Sequence, residues 1–274
     1  MLAALGSAVA HAGMALFTKQ AGDTLVFRAV SMAFSALWLA PLLVFNAFPS
    51  WEVWRFLLLG AVVIWAFNML MISAFKAGSM NLVYPVMRGA APALAGVFAW
   101  LVLGEALSPV AILGLSVASA AIIGFAWPER GGAPKAAALA FALCAAVMTA
   151  TYTVNDASGA RAAASPWVYA AWFFLISWIT LGGTAIVRRG ANVILAARAE
   201  MKRGVIASFF NVATYGLALY AYANAPVAPM AALRETSIVF GAVLAAWVLK
   251  EPFGLKRGAL AVVLALGLIA LQLG

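Results

Sequence analysis

Charge is scarce in this chain. Of its 274 residues only 9% are Asp, Glu, Lys or Arg, and 66% are hydrophobic. A soluble globular domain carries about 25% charged and about 45–50% apolar residues, so a water-soluble fold of this length has nowhere to hide its apolar surface. Cysteine occurs once, at Cys144. That excludes an internal disulfide framework and a cysteine-only metal cluster, and its apolar surroundings make it a small packing residue. Histidine also occurs once, at His11. No further His, Cys or carboxylate lies near it at ligand spacing, so no metal site is expected. A Gly-rich phosphate loop ending in Lys-Ser/Thr is missing, and Ser and Thr are scattered without a paired base. Neither ATP hydrolysis, nor another enzymatic activity, nor a cofactor is expected. Met1–Ala10 lack the positive n-region of a cleaved signal peptide. The net charge is +9. Its basic residues flank apolar runs instead of forming a soluble face, so the expected partner is lipid and not nucleic acid.

Long apolar runs are what the chain does have, as in Leu57–Ala74 and Gly258–Leu271. A transmembrane barrel would alternate apolar and polar residues over about 10-residue segments. In lipid every backbone amide must be satisfied within its own segment, so continuous runs predict helices. The expected class is an all-α integral membrane protein with about ten transmembrane helices. These fall at about 2–18, 25–47, 54–75, 79–103, 108–127, 134–156, 165–187, 203–224, 227–249 and 255–273. Punctuation supports the divisions: Phe48-Pro49-Ser50, Ser108-Pro109, Pro128-Glu129-Arg130-Gly131-Gly132 and Ser165-Pro166. The polar stretch Arg188–Arg203 has room for a short interfacial helix. Trp51, Trp54, Trp127 and Trp167 fall near span ends, where an aromatic belt is expected.

The basic residues predict an orientation. Thirteen of the 17 lie in or beside loops that follow odd-numbered helices. Arg55 and Arg161 lie on the opposite side, and Arg88 and Arg234 fall within helices. The positive-inside rule places the rich side in the cytoplasm and both termini outside. The expected location is a bacterial-type inner (plasma) membrane, crossed many times.

The chain also repeats itself at an offset of 146. Val97-Phe98-Ala99-Trp100-Leu101-Val102-Leu103-Gly104-Glu105 aligns with Val243-Leu244-Ala245-Ala246-Trp247-Val248-Leu249-Lys250-Glu251, five of nine positions being identical. Arg88 aligns with Arg234, and each is followed 17 residues later by a Glu. A repeat of five helices, an odd number, places its second copy upside down. Residues 1–128 and 129–274 are therefore expected to be two inverted five-helix repeats, the plan of many secondary transporters.

On these features the sequence resembles the drug/metabolite transporter superfamily, in its ten-helix EamA-like branch. The resemblance rests on the 5+5 layout and on two similar helix ends, Leu103-Gly104-Glu105-Ala106 and Leu249-Lys250-Glu251-Pro252. Ala232-Leu233-Arg234-Glu235-Thr236-Ser237 adds to it, and it covers essentially the whole chain. It implies a secondary carrier with a central cavity lined by helices one, three, four, six, eight and nine. Relatives usually keep both termini in the cytoplasm. The charge bias here argues the reverse, so the direction of transport does not carry over.

Ionisable residues at membrane depth are functional candidates by default. Arg88 lies in the fourth span between Pro85 and Pro92, Arg234 and Glu235 in the ninth, His11 in the first, and Asp156 at the end of the sixth. In one reading Arg234 holds a substrate carboxylate or phosphonate, while Glu235 meets an amine or joins proton coupling. In the other an internal salt bridge, with Arg88–Glu235 as the candidate pair, locks helices together. For Arg88, freed carbonyls at the prolines offer either a ligand site or a self-filled kink. His11 titrates near neutrality and is open to proton coupling, or it is a packing residue. Trp65, Asn68, Tyr84, Asn211 and Tyr215 offer aromatic and amide walls for a substrate, or interhelical hydrogen bonds. Glu105 and Glu251 are expected to cap the free N–H groups of the helix that follows. Ala91, Ala95, Gly114, Gly241, Ala245 and Gly267 are expected to permit close helix packing.

The expected function is secondary transport of a small polar or zwitterionic organic solute, an amino acid or a related amine or phosphonate, with a coupling proton or cation. The alternative is a multidrug or quaternary-ammonium exporter using Trp65, Tyr84 and Glu235 as an aromatic-acidic cage. A membrane enzyme or receptor is the remote third.

Overall fold

The computed structural model describes residues 1–78, 80–126, 136–240, 243 and 255–273. Among these the secondary structure is entirely helical, without strands. The helices are α1 (Leu2–Lys19), α2 (Thr24–Phe45), α3 (Trp51–Ala77), α4 (Met80–Leu103), α5 (Pro109–Ala126), α6 (Ala136–Ala162), α7 (Pro166–Arg189), α8 (Val193–Asn224), α9 (Val227–Arg234) and α10 (Leu255–Leu273). Among the described residues, five helical stretches are long and apolar enough to cross a membrane: Thr24–Phe45, Trp51–Ala74, Val86–Leu103, Ala136–Ala162 and Pro166–Asn224. The last comprises α7, a 3-10 turn at Gly190–Asn192, and α8. Leu2–Thr18, Pro109–Gly124 and Gly258–Leu273 are shorter apolar helices.

Local chemistry sets many of the ends. The Asp23 carboxylate accepts from the N–H groups of Leu25 and Val26, filling two positions left open at the start of α2. Ser165 accepts from Trp167 N–H, and Pro166, which needs no acceptor, opens α7. α4 stops at Gly104, whose φ of +68° suits glycine. There Gly104 N–H donates to Trp100 O and Glu105 N–H to Ala99 O, tying off the last turn.

Three boundaries differ from the sequence expectation. α6 does not end at Asp156 but runs on to Ala162, because 157–162 contains no proline and the first stop is Ser165-Pro166. Asp156 is therefore well inside a helix. Arg188–Arg203 is not a separate interfacial helix: it is the end of α7, the 3-10 turn entered at Gly190 (φ +54°), and the first three turns of α8. The ninth span is broken. α9 ends at Arg234, Glu235 and Thr236 form a turn, and helix resumes over 237–240. Its expected remainder to 249, apart from Val243, lies outside the described residues, as does the divider at Pro128–Gly132.

The chain forms two compact units, each drawing on both ends of the sequence. The first comprises Met1–Trp65 and Asp156–Asn224, the second Ala66–Asn155 and Ala225–Gly274. In the first, α1 packs on α8, and α2 packs on α7 and α8. Met14, Phe27 and Ala207 form a core there with Phe17 and Phe210 against them. In the second, α4 packs on α5 and α9, and α5 packs on α10. Its core joins Ala74, Val83, Met87, Ala138, Ala142 and Ala145. The small residues let backbones meet, since lipid supplies no hydrophobic drive between helices. A close backbone approach joins two expected packing glycines, Gly114 of α5 and Gly267 of α10. A Cβ on Gly267 would lie 2.7 Å from Ala118 N, and one on Gly114 2.6 Å from Gly267 O. Ala91 and Ala95 are likewise buried, while Gly241 and Ala245 lie outside the described residues.

Candidate functional site

In the second unit the broken ninth span brings charge together. At the break, Glu235 N–H donates to Ala232 O (3.0 Å) and Thr236 N–H to Leu233 O (3.2 Å), a tightening to three-residue spacing. Thr236 Oγ1 also donates to Leu233 O at 2.7 Å, so this carbonyl receives both a backbone and a side-chain donor at the break. The turn presents Glu235 toward α4, which is helical through both of its prolines. Arg88 Nε lies 3.0 Å from Glu235 Oε2, the two side chains being 15% and 8% exposed. The Nε contact is misaligned for a hydrogen bond and acts through charge. The directional bond comes from Arg88 Nη2, which donates to Ser237 Oγ at 2.8 Å. Arg234, partly buried in the last turn of α9, adds a second guanidinium beside this carboxylate in sequence. A guanidinium presents paired N–H donors that match the geometry of a carboxylate or phosphonate. Asn68 is buried in the same unit. The Tyr84 side chain and Glu251 lie outside the described residues.

Glu105 is a cap, but not for the helix expected. Its Oε2 accepts from Val227 N–H at 2.6 Å, so it caps α9. The next helix, α5, uses Ser108, whose Oγ accepts from Ala111 N–H at 3.1 Å. A serine one residue before the proline already fills that position, leaving Glu105 to reach a chain segment distant in sequence.

In the first unit a second cluster surrounds Asp156 of α6, which is 1% exposed. Tyr169 of α7 donates its hydroxyl to Oδ1 at 3.1 Å, and Tyr215 of α8 donates to Oδ2 at 2.7 Å. The Tyr215 ring stacks on Phe173 at 4.3 Å between centroids and meets Phe174 edge-on. A Cβ on Gly159, one turn beyond Asp156, would collide with the Tyr169 ring, so that glycine lets the phenol reach the carboxylate.

Other expected site residues in this unit make interhelical contacts. Asn211 Nδ2 donates to Ser35 Oγ at 3.2 Å and approaches Met32 Sδ at 3.6 Å, joining α8 to α2. Trp65 Nε1 donates to Thr184 Oγ1 at 3.1 Å, with the indole 41% exposed. His11 is partly buried on α1.

A third polar cluster holds the loop between α1 and α2. Glu200 of α8, 3% exposed, accepts from Gly22 N–H at 2.7 Å and from Asp23 N–H at 3.1 Å. Arg189 Nε meets Asp23 Oδ2 at 2.6 Å. Burial raises the pKa of the Asp23 carboxyl, but the bond from Arg189, that residue's charge, and the N–H groups of Val26 and Leu25 outweigh it. The net pKa is below the ordinary 3.8.

The structure thus joins Arg88 to Glu235, as the salt-bridge reading had it, and gives Tyr215 a carboxylate partner. Sequence reasoning missed Tyr169, Ser237 and Glu200. For Tyr169 the available signal was Ser165-Pro166: a helix opening there brings its first turn back beside the end of α6. Ser237 lies three residues from Arg234, but only the break directs it to Arg88.

Comparison with known proteins places this architecture. The EamA-like transporter family model matches residues 1–127 and 136–272. One solved structure, described only as the crystal structure of a protein, is similar with a TM-score of 0.79. It shares 18% identity, over 99% of this chain and 96% of that one. At that identity the likeness establishes the fold alone. No curated protein matches. A helical, multi-pass membrane architecture and matches over both halves of the sequence agree on a transporter of small molecules. The chain belongs to the EamA-like transporter family.

Proposed function

We propose that this protein is a secondary active transporter of a small polar or zwitterionic organic solute, an amino acid or a related amine or phosphonate. It works by alternating access around a midplane site. Ten spans, arranged as two inverted repeats divided near residue 128, supply the frame. The observation that carries the reading is the buried Arg88–Glu235 pair at the break in the ninth span. Charge inside a membrane is costly, and discontinuous helices are where many carriers hold substrate. Arg88 and Arg234 take the solute's anionic group. Glu235 meets its ammonium and keeps the guanidinium groups apart from bulk anions. Asn68 lines the same site.

Uptake of radiolabelled amino acids and aminophosphonates into proteoliposomes tests this. Arg234→Ala and Glu235→Gln are compared with wild type. Each lost charge-assisted contact is worth about 1.5–3 kcal/mol, which is roughly a 10- to 100-fold loss of apparent affinity. Unchanged uptake in both variants removes these residues from the mechanism. Uptake of quaternary ammonium compounds, uncompeted by zwitterions, overturns the solute class in favour of a cation exporter.

A further inference from the structure

We propose that Asp156, clasped by Tyr169 and Tyr215, is the site where this transporter binds and releases its coupling proton. The proposal deepens the transporter reading and rests on it for the word coupling.

Three carboxylates in the described residues are deeply buried: Asp156, Glu200 and Glu235. Their partners separate them chemically. Glu200 accepts from two backbone N–H groups, which can only donate. Glu235 faces the Arg88 guanidinium, also donor-only and permanently charged. Among the described residues these partners, with Arg203 3.8 Å from Glu200 Oε2, are all donors, and both settings suit the carboxylate form. Asp156 is held by two phenol hydroxyls, one on each oxygen. A hydroxyl both donates and accepts. When a proton from water binds Oδ2 of Asp156, the new O–H can donate to the Tyr215 oxygen, whose own hydroxyl turns toward water, while Tyr169 goes on donating to Oδ1. The step forms one O–H bond with a proton taken from water and keeps a hydrogen bond on each carboxylate oxygen.

The surroundings support proton access. Asp156 lies six residues before the end of α6, about 9 Å along the helix axis. Tyr169 is fully buried, whereas Tyr215 is partly exposed and can link the carboxylate to water. Tyr169 from α7 and Tyr215 from α8 face Asp156, and Tyr152 and Arg161 lie four and five residues from it on α6. Arg161 Nε donates to Tyr222 O at 3.0 Å. The three elements meeting at Asp156 are separate helices. A change in its charge therefore alters bonds that join α6 to α7 and α8.

The sequence offers an unusually clean test, because Asp23 and Asp156 are its only aspartates. The full-length protein, labelled with [4-13C]aspartate and placed in lipid nanodiscs, should show two side-chain carboxyl resonances. Asp23→Asn assigns them without touching the cluster. The Asp156 resonance is expected to pass from the carboxylate to the carboxylic acid position between pH 10 and pH 4. Tyr215→Phe, which keeps the stacked ring and removes only the hydroxyl, is expected to shift the midpoint. An Asp156 resonance that stays in one form across this range overturns the proposal, as does a midpoint unmoved by Tyr215→Phe. In proteoliposomes, with any panel solute the wild type accumulates, Asp156→Asn should keep solute exchange but lose stimulation by an imposed proton gradient. Gradient-driven accumulation that persists in Asp156→Asn also overturns it. The resonance requires no solute, so failure of the solute panel leaves it readable and falls on the substrate class alone.

Discussion

Arg88 and Glu235 face a choice that a buried ion pair always poses. Removing one partner strands the other charge at low dielectric and typically costs about 3–5 kcal/mol. Replacing both by apolar residues of similar size is often neutral. We therefore expect Arg88→Met to lower thermal stability in detergent sharply. Arg88→Met with Glu235→Leu should recover most of it while transport stays abolished. Recovery of transport in the double variant would make the pair a helix lock and nothing more. Gly114 gives a second residue-scale prediction. Its added methyl would meet the backbone of α10, which cannot swing aside like a side chain. Gly114→Val should reduce the yield of folded protein, by size-exclusion profile, far more than Gly183→Val, where a Cβ meets open space.

At the scale of the element, caps reach across long sequence distances. Glu105 fills the N-terminus of α9, the short helix that ends at the candidate site. Losing a cap costs about 1 kcal/mol. Glu105→Gln keeps an acceptor and should be mild; Glu105→Ala should lower the melting temperature and loosen α9. Hydrogen exchange at the amides of 227–230 would show it, and unchanged exchange would refute it. The loop between α1 and α2 responds to acid. The folded-state pKa of Asp23 is below its ordinary value, so this carboxylate stabilises the fold at pH values above about 4. That contribution disappears as pH falls from there through the lowered folded value. Wild type should lose stability between pH 5 and pH 2.5 more steeply than Asp23→Asn, as followed by melting temperature. Parallel curves would contradict the Arg189 pairing. The break at Glu235-Thr236 was not legible in the sequence, because its residues tolerate helix and no glycine or proline marks it. The extension of α6 past Asp156 was legible only in the absence of a stop signal before Pro166.

For the whole molecule, the distribution of Lys and Arg makes a prediction opposite to the usual placement of relatives. A C-terminal alkaline phosphatase fusion should be active and a C-terminal green fluorescent protein fusion dark, since both termini are expected outside the cytoplasm. The reverse pattern would return the chain to the common orientation and reassign its basic loops. The family itself was visible before any coordinates. Its signs are the 146-residue offset, the paired Arg and Glu, and the two similar helix ends. Family membership and helical class follow from such linear features because lipid leaves the backbone few options.

The sequence alone was enough to specify a helical membrane protein of this family and to single out Arg88, Arg234, Glu235 and Asp156 as costly charges. Composition and periodicity carry that information, since each reflects the solvent a segment must meet. Only the tertiary structure decided partnership. It paired Arg88 with Glu235 and Ser237, turned Glu105 toward α9, and set Tyr169 and Tyr215 on Asp156. Those contacts join residues from 13 to 149 positions apart. Hydrogen-bond geometry is settled within a few tenths of an ångström by how helices pack, and no one-dimensional pattern encodes that.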